Sequence, residues 1–277
     1  MIEFTLNNWE IVDMAKSSKE FDKYVYYEKS VQNPANEVQF FNEKYTEITN
    51  KKAHTLREDF CGTGAISCEW VKQGSDYKAW GIDLDPEPLE YGKNVHFAKL
   101  DDKAQKRMNY IEGNVLNSGT PTVDICFAFN FSYFIFKKRS ELLEYFKAAH
   151  KALNKDGVFF MDLFGGPDSI QENTDVIAHD GFKYFWECQM FNPMTNECKF
   201  AIHFKRKGEQ KRKDVFVYEW RMWGMMELRD LLIEAGFSKT IGYWEGEDGE
   251  GGGNGEFEAT DEAEQCEAWV TYIAALK

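Results

Sequence analysis

The stretch that most constrains the fold is TLREDFCGTGAISC, residues 55–68. Its composition predicts a strand over residues 54–60, a tight turn at Cys61-Gly62-Thr63-Gly64 and a helix that begins at the end of the turn. Glycine accepts positive φ and has no Cβ, so the backbone of this turn can come close to a ligand. The free N–H groups of the following helix point at the same place. The stretch therefore predicts a ligand site between a strand and a helix.

The same alternation of strand and helix continues to about residue 163. Four more apolar runs predict strands at residues 78–84, 107–112, 122–129 and 158–163, with amphipathic segments between them. The run at 122–129, TVDICFAF, is almost continuously apolar, as in a strand that is covered on both faces. This order predicts an α/β fold with a doubly wound, mostly parallel sheet and helices on both of its faces.

Beyond residue 163 the pattern changes to successive strands. Residues 182–192, 197–207 and 214–222 predict an antiparallel β insertion at about residues 178–223. A helix over 225–235 follows, and strands at 237–244 and 266–276 form a late hairpin. Between these two strands, residues 245–265 are rich in Gly and acidic side chains. Their spacing does not fit a calcium loop, so we expect a flexible, solvated loop.

The segment before the first strand predicts a separate structural unit. Residues 21–29 and 38–48 have partly helical patterns, and Asn33-Pro34 separates them because a residue before proline avoids the α region. Residues 1–52 are thus interpreted as an N-terminal helical lid on a domain formed by residues 53–277. Packing of these helices against a sheet edge is the alternative, and the sequence favours neither.

Charge and composition restrict the partners of the chain. The net charge is −14, which argues against nucleic acid and anionic membranes as partners. The six Cys form no C-x-x-C pair and no His residues cluster near them, so no metal site is expected. The N-terminus lacks a signal-like apolar segment, and no apolar run approaches 18 residues, so a cytoplasmic location is expected.

Two polar residues at the ends of later strands extend the predicted site. Asp83 ends the second strand, where a carboxylate can accept hydrogen bonds from both hydroxyls of a ribose. Its alternative role is to cap the next helix, but Asp85 suits that role better. Asn114 follows the third strand, and its amide can both donate to and accept from an adenine edge, or it can be an ordinary turn residue. Together with the glycine turn, these positions predict a nucleoside site.

The order and spacing of these segments resemble class I S-adenosylmethionine-dependent methyltransferases. The resemblance rests on residues 55–64, 81–86, 112–116 and 123–130, and on the later segments LNKDGVFFMDL and ELRDLLIEAGF. It implies a seven-stranded Rossmann-like sheet with an antiparallel last strand, and S-adenosyl-L-methionine as the cofactor. A dinucleotide is disfavoured, because Ser67 stands where the third glycine of G-x-G-x-x-G would be.

The resemblance also implies which positions bind the cofactor. Glu58 matches the acidic residue near the methionine amino group, Leu84 lies beside adenine, and Asn130 belongs to the loop between the methionine moiety and the acceptor. The complete set of implied cofactor positions is Glu58, Cys61, Gly62, Thr63, Gly64, Asp83, Leu84, Asn114, Val115 and Asn130.

One position departs from the family pattern. Phe60 stands where the family has glycine, and phenylalanine disfavours positive φ. Either the turn differs locally in this chain, or the side chain of Phe60 packs below it.

The chemistry of methyl transfer leaves the acceptor open. The reaction is an in-line displacement in which the protein orients the reactants and keeps the pocket dry. We expect a small-molecule acceptor; a protein acceptor and a non-catalytic, regulatory cofactor-binding role are the alternatives. Tyr24, Tyr27 and Trp220 are candidate acceptor-binding rings. Arg57 is a candidate anion anchor, although a structural ion pair is the simpler interpretation. No residue identifies itself as a general base, and neither the methylated atom nor the oligomeric state follows from the sequence.

Overall fold

A computed structural model describes residues 20–249 and 252–277 of the chain. Its main element is an eight-stranded sheet with the strand order β11-β10-β12-β5-β4-β1-β2-β3. The strands of this sheet are β1 (Thr55–Asp59), β2 (Lys78–Asp83), β3 (Met108–Glu112), β4 (Val123–Ala128), β5 (Leu153–Gly165), β10 (Lys239–Glu247), β11 (Gly253–Ala259) and β12 (Trp269–Leu276).

Five adjacent strands, β5-β4-β1-β2-β3, are parallel, so their carboxyl ends meet at one edge of the sheet. The helices that connect or flank them are α3 (Ala65–Trp70), α4 (Pro86–Val95), α5 (Asp102–Gln105), α6 (Arg139–Ala152) and α7 (Met225–Glu234). Alternate residues of β4 and β5 belong to two buried clusters, because successive side chains of a strand point to opposite faces. Both faces of the parallel sheet are thus covered, as the apolar run at 122–129 predicts.

The antiparallel end of the sheet confirms the predicted seven strands and adds an eighth. β12 pairs antiparallel with β5, and β10 pairs antiparallel with β12. The prediction of a flexible loop over 245–265 is wrong in part, since β10 extends to Glu247 and β11 pairs antiparallel with it. The reason is a single inward ring: Phe257 packs on Tyr272 with ring centroids 4.6 Å apart, while the acidic neighbours of Phe257 stay exposed.

The inserted sheet has four strands in sequential order. They are β6 (Asn173–His179), β7 (Phe182–Asn192), β8 (Glu197–Arg206) and β9 (Arg212–Arg221). Three of them match the predicted strands, and β6 was not predicted. It is an edge strand with mostly exposed side chains, so its sequence lacks the apolar alternation of a half-buried strand. The insertion therefore begins at residue 173 rather than at about 178.

Two helices precede β1, α1 (Lys23–Val31) and α2 (Pro34–Thr49). Asn33 caps α2 by accepting the N–H of Asn36, and Pro34 occupies the first helical turn. Residues 1–19 of the predicted lid lie outside the described residues, and the division at residue 52 stays a prediction. Among the described residues, no helix combines the length and apolar character needed to cross a membrane.

Candidate active site

The glycine turn after β1 is shaped by two left-handed glycines with different surroundings. Gly64 has φ +66°, and a Cβ there would lie 2.6 Å from the ring of Tyr110, so the fold itself requires glycine. Gly62 has φ +52°, and a Cβ there would meet no heavy atom within 4 Å. Gly62 therefore presents bare backbone to open space above the strand ends, where a ligand can approach.

Phe60 also adopts a left-handed backbone, with φ +57°. For a residue with a Cβ this conformation costs about 1–2 kcal/mol. The ring packs against Phe136 and Tyr145, with centroid distances of 6.1 and 5.5 Å. The turn thus keeps the positive φ that the family obtains from glycine, and the phenylalanine side chain packs into the neighbouring core.

Asp83 joins the end of β2 to the glycine turn. One carboxylate oxygen accepts the N–H of Gly62 at 2.8 Å, and the other accepts the N–H of Asp85 at 2.9 Å. A carboxylate has about four acceptor positions, so both oxygens keep acceptor capacity. The neighbouring Leu84 is 63% exposed, an unusual position for a large apolar side chain. The two motifs that the sequence placed 21 residues apart are therefore in direct contact.

The turn after β3 lies next to Asp83. The N–H of Gly113 donates to the Asp83 carbonyl at 2.8 Å, and Asn114 accepts the N–H of Leu116 through its side chain. Asn114 is exposed, whereas Val115 is buried in the core with 4% exposure. Of this predicted adenine-edge pair, only Asn114 therefore offers its side chain at the surface.

Glu58 lies at the carboxyl end of β1 and is almost fully buried. Its Oε2 accepts the N–H and the hydroxyl of Ser67, which lies in the first turn of α3. Burial raises the pKa of Glu58 to about 8, against the lowering effect of the Ser67 hydrogen bonds. A positive ligand group near this carboxylate would favour its ionised form.

The loop after β4 is held by a carboxylate that the sequence analysis missed. Asn130 and Phe131 both have φ +57°, and their N–H groups donate to the two oxygens of Asp162 at 2.7 and 2.9 Å. Asp162 belongs to β5 and is buried, which raises its pKa to about 7. A lone Asp inside an apolar strand, FFMDLF, is the sequence signal that was available.

Helix α1 closes over the glycine turn. Glu28 accepts the hydroxyl of Thr63 at 2.7 Å and lies 2.7 Å from His96 Nε2 at the end of α4. Lys23 forms an ion pair with Glu87 of α4, with an N–O distance of 2.7 Å. These contacts tie the N-terminal helices to both the glycine turn and the helix that follows Asp83.

Helix α2 covers the ends of β4 and β5. Phe41 packs on Phe127, Phe129 and Phe160 with ring centroids 4.6 to 5.4 Å apart. One turn earlier, burial, together with the nearby Glu58 and Asp162, raises the pKa of Glu37 to about 8, against the lowering effect of the Asn33 N–H. Glu37 is not among the residues predicted from the sequence, because a Glu in a polar helix is ordinarily solvated.

The four predicted acceptor residues have different surroundings. Tyr27 lies at the site, in hydrogen-bonding contact with Tyr218 of β9 and within electrostatic range of Asp162. Tyr24 instead packs on Tyr91 of α4 at 4.6 Å, and Trp220 is buried in the core with 3% exposure.

Arg57 is enclosed in the interior. It donates to Asp59 at 2.7 Å and to the Val115 carbonyl at 2.6 Å, so the structural ion pair is the role that the geometry supports. Tyr24, Trp220 and Arg57 are therefore not carried into the proposed acceptor site.

The inserted sheet contains a compact cluster of possible metal ligands, Glu187, His203 and Asp214. His203 Nδ1 accepts the backbone N–H of Asp214 at 2.7 Å, which places the ring hydrogen on Nε2, facing Glu187 at 2.8 Å. Both ring nitrogens are thus occupied, and neither has a free lone pair for a metal. The same contacts make His203 a structural residue rather than a general base.

Comparison with known proteins agrees with this geometry. Residues 59–161 match the family model of the methyltransferase domain. No curated protein matches the chain in sequence. A solved S-adenosylmethionine-dependent methyltransferase from Clostridium acetobutylicum ATCC 824 is similar in fold, with a TM-score of 0.66, 18% identity and coverage of 91% of this chain and 96% of that chain.

Two further solved structures have the same fold. The amino pentose methyltransferase CalS10 from Micromonospora echinaspora has a TM-score of 0.65 at 14% identity, over 95% of this chain and 100% of its own. The sugar N-methyltransferase KedS8 from Streptoalloteichus sp ATCC 53650 has a TM-score of 0.63 at 14% identity, over 99% of each chain.

The sheet order, the strand-end motifs and the matched domain define a class I methyltransferase fold. Residues 59–161 are a methyltransferase domain, and the chain shares the fold of solved S-adenosylmethionine-dependent methyltransferases; the protein is an enzyme whose cofactor is S-adenosylmethionine.

Proposed function

We propose that this enzyme transfers a methyl group from S-adenosylmethionine to a small-molecule acceptor by in-line displacement. The observation that carries the proposal is the roof that α1, α2 and the inserted strand β9 form above the strand ends. Glu28 bonds the glycine turn from α1, and Tyr27 of the same helix packs on Phe216 of the inserted sheet at 4.9 Å. A roof that bonds to both sides of the site suits a small acceptor, whereas a protein acceptor needs an open groove.

The residues above the strand ends fit the cofactor. Bare backbone at Gly62 leaves room for the ligand, and Asp83 has acceptor positions for the ribose hydroxyls. The exposed Leu84 offers an apolar surface to adenine, and the carboxylate of Glu58 suits the methionine ammonium group. These assignments are proposals drawn from position and chemistry.

The bound cofactor supplies an electrophilic methyl group, so the protein's own work is orientation and exclusion of water. The buried Asp162 fixes two consecutive N–H groups of the loop that carries Asn130. The aromatic side chains that α1, α2 and β9 place above the strand ends are suited to exclude water from the same place. Both functions are ones that in-line displacement requires.

The similar structures support a small acceptor. CalS10 is described as an amino pentose methyltransferase and KedS8 as a sugar N-methyltransferase, and both have this fold over nearly their whole length. An acceptor of comparable size is therefore the acceptor class that we propose for this chain.

The size of the acceptor can be tested with methyl-labelled S-adenosylmethionine and a cell extract divided by ultrafiltration at about 3 kDa. We expect enzyme-dependent label in the small-molecule fraction. Label that appears only in the macromolecular fraction would instead favour protein methylation. Cofactor binding without transfer to either fraction would favour the regulatory alternative.

The cofactor site can be tested with Asp83→Ala. The substitution removes the proposed ribose acceptor, and hydrogen bonds to charged groups contribute about 1.5–3 kcal/mol, so binding should weaken about 10- to 150-fold by calorimetry. Asp101→Ala is a matched control, because Asp101 also accepts two backbone N–H groups but lies at the start of α5. Equal affinities of the two variants would refute the ribose assignment.

A further inference from the structure

Glu37 lies on the face of α2 that is turned toward the strand ends. It precedes Phe41 by four residues, and side chains at this spacing share one face of a helix. Phe41 packs on Phe129 at the carboxyl end of β4, with ring centroids 5.2 Å apart. Glu37 is therefore directed at the same edge of the sheet as the predicted cofactor positions.

The carboxylate of Glu37 accepts few hydrogen bonds from the described residues. Its Oε1 accepts the Asn33 N–H at the long distance of 3.4 Å. Its Oε2 is buried and has no hydrogen-bond partner among residues 20–249 and 252–277. A buried carboxylate oxygen without a partner is costly to the folded state, so it indicates a site whose partner is a ligand group.

The groups around Glu37 are acidic as well. Glu58 and Asp162 interact with it electrostatically, and so do the phenols of Tyr27 and Tyr272. Within the described part of the chain, none of the three carboxylates forms an ion pair with Lys, Arg or His. The site is thus a cluster of carboxylates for which residues 20–249 and 252–277 provide no ion-pair partner.

We infer that the methyl acceptor is an amine that enters as an ammonium ion, and that Glu37 binds this ammonium group and takes its proton. The inference rests on the proposed function and deepens it by naming the acceptor class. Glu58, on the sheet, is assigned to the cofactor's ammonium group, whereas Glu37 belongs to α2, which packs on the carboxyl end of β4, and is assigned to the acceptor. A carboxylate acceptor would add a further negative charge to this cluster, and a hydroxyl acceptor would bring no positive charge to it.

An N–H bond of the ammonium ion breaks, and its proton passes to Glu37 while the electron pair stays on nitrogen. That pair forms the new N–C bond to the methyl group as the C–S bond breaks, leaving its electrons on sulfur. The product is a methylated ammonium ion, and the proton on Glu37 passes to water when the roof opens.

Sinefungin tests the inference without knowledge of the acceptor, because it carries an amine where S-adenosylmethionine carries the methylated sulfur. The probe is compared with S-adenosylhomocysteine, which lacks both the methyl group and this amine. We expect wild type to prefer sinefungin, and Glu37→Gln to reduce that preference at least tenfold while S-adenosylhomocysteine affinity stays within about twofold. Glu43→Gln is the control, since Glu43 is an exposed carboxylate on the same helix.

A second measurement uses wild type alone and so does not depend on the folding of a variant. Sinefungin preference should fall at least fivefold from pH 8.5 to 6.5, because protonation of Glu37, whose pKa is raised to about 8, removes the charge that binds the amine. The titratable groups that face Glu37 are Glu58, Asp162, Tyr27 and Tyr272. Burial also raises the pKa values of Glu58 and Asp162 into this range, so the same pH series on Glu37→Gln should show a fall that is clearly smaller than that of wild type.

The outcomes separate the inference from the proposed function. A sinefungin preference that is unchanged by Glu37→Gln, or that does not fall at low pH in wild type, would overturn the role of Glu37 while leaving the methyltransferase intact. Failure of wild type to bind S-adenosylhomocysteine at all would instead overturn the proposed cofactor site.

Discussion

Gly62→Ala is the sharpest test of where the cofactor lies. In the free protein the new methyl group meets no heavy atom within 4 Å, so the only cost is a left-handed backbone for alanine, about 1–2 kcal/mol. In the complex, the methyl group would occupy the space in which the cofactor contacts this backbone. This displacement should break one hydrogen bond to a charged group of the cofactor. Such a bond contributes about 1.5–3 kcal/mol, so the affinity for S-adenosylmethionine should fall about 10- to 150-fold.

Gly181→Ala provides the matched control. Gly181 lies in the turn between β6 and β7, has φ +82°, and also has no heavy atom within 4 Å of a built Cβ. Both variants should therefore lose similar stability, measured by urea unfolding, but only Gly62→Ala should lose affinity for S-adenosylmethionine in calorimetry. If Gly62→Ala bound the cofactor within twofold of Gly181→Ala, the proposed position of the cofactor over the glycine turn would be refuted.

Two further predictions concern the buried carboxylates. Asp162→Asn keeps one acceptor oxygen for two N–H groups, so it should lower the free energy of unfolding by about 1–3 kcal/mol. It should also slow methyl transfer at least tenfold in single-turnover assays while cofactor affinity stays within threefold. An unchanged rate of transfer would contradict the positioning role of Asp162. Burial raises the pKa of Glu58 from 4.5 to about 8, so between these pH values the folded state binds one proton more than the unfolded state. The contribution of Glu58 to the free energy of unfolding is therefore fully present below pH 4.5 and is lost as the pH rises toward 8. The melting temperature of the cofactor-free protein should accordingly fall from pH 5 to 8 more steeply than that of Glu58→Gln, and equal slopes would show that Glu58 does not titrate in this range.

Phe60 shows how the chain departs from its family without losing the turn. The backbone keeps the left-handed conformation, and the ring gains contacts with Phe136 and Tyr145 that glycine could not make. Burial of an aromatic side chain offsets a strain of about 1–2 kcal/mol. The local conformation therefore follows from the fold around the turn rather than from the residue's own preference.

The strands that the sequence analysis missed share a physical cause. Both β6 and β11 are edge strands whose side chains are mostly exposed, so their polar residues show no alternation. Their hydrogen bonds go to β7 and β10, and such pairing depends on a neighbouring strand rather than on local composition.

The nucleoside site can be predicted from local sequence patterns. A glycine turn after one strand, a carboxylate after the next and an amide after the third are local patterns, and parallel pairing brings the ends of such strands together. The hydrogen bond from Gly62 to Asp83 is the direct consequence, at 2.8 Å. These residue types at these spacings predicted the parallel sheet and a nucleoside site, and the resemblance to class I methyltransferases implied the cofactor and the reaction.

The surroundings of the candidate acceptor residues, in contrast, follow from the tertiary structure. Arg57 is an attractive anion anchor in the sequence, but it is neutralised in the interior by Asp59. Glu37, an ordinary helical residue in the sequence, has one carboxylate oxygen buried from solvent and interacts electrostatically with Asp162. The direction and burial of a side chain depend on elements far away in the chain, here a helix before the sheet and a strand more than 100 residues later. The local sequence around a residue does not show which distant elements will pack against its side chain.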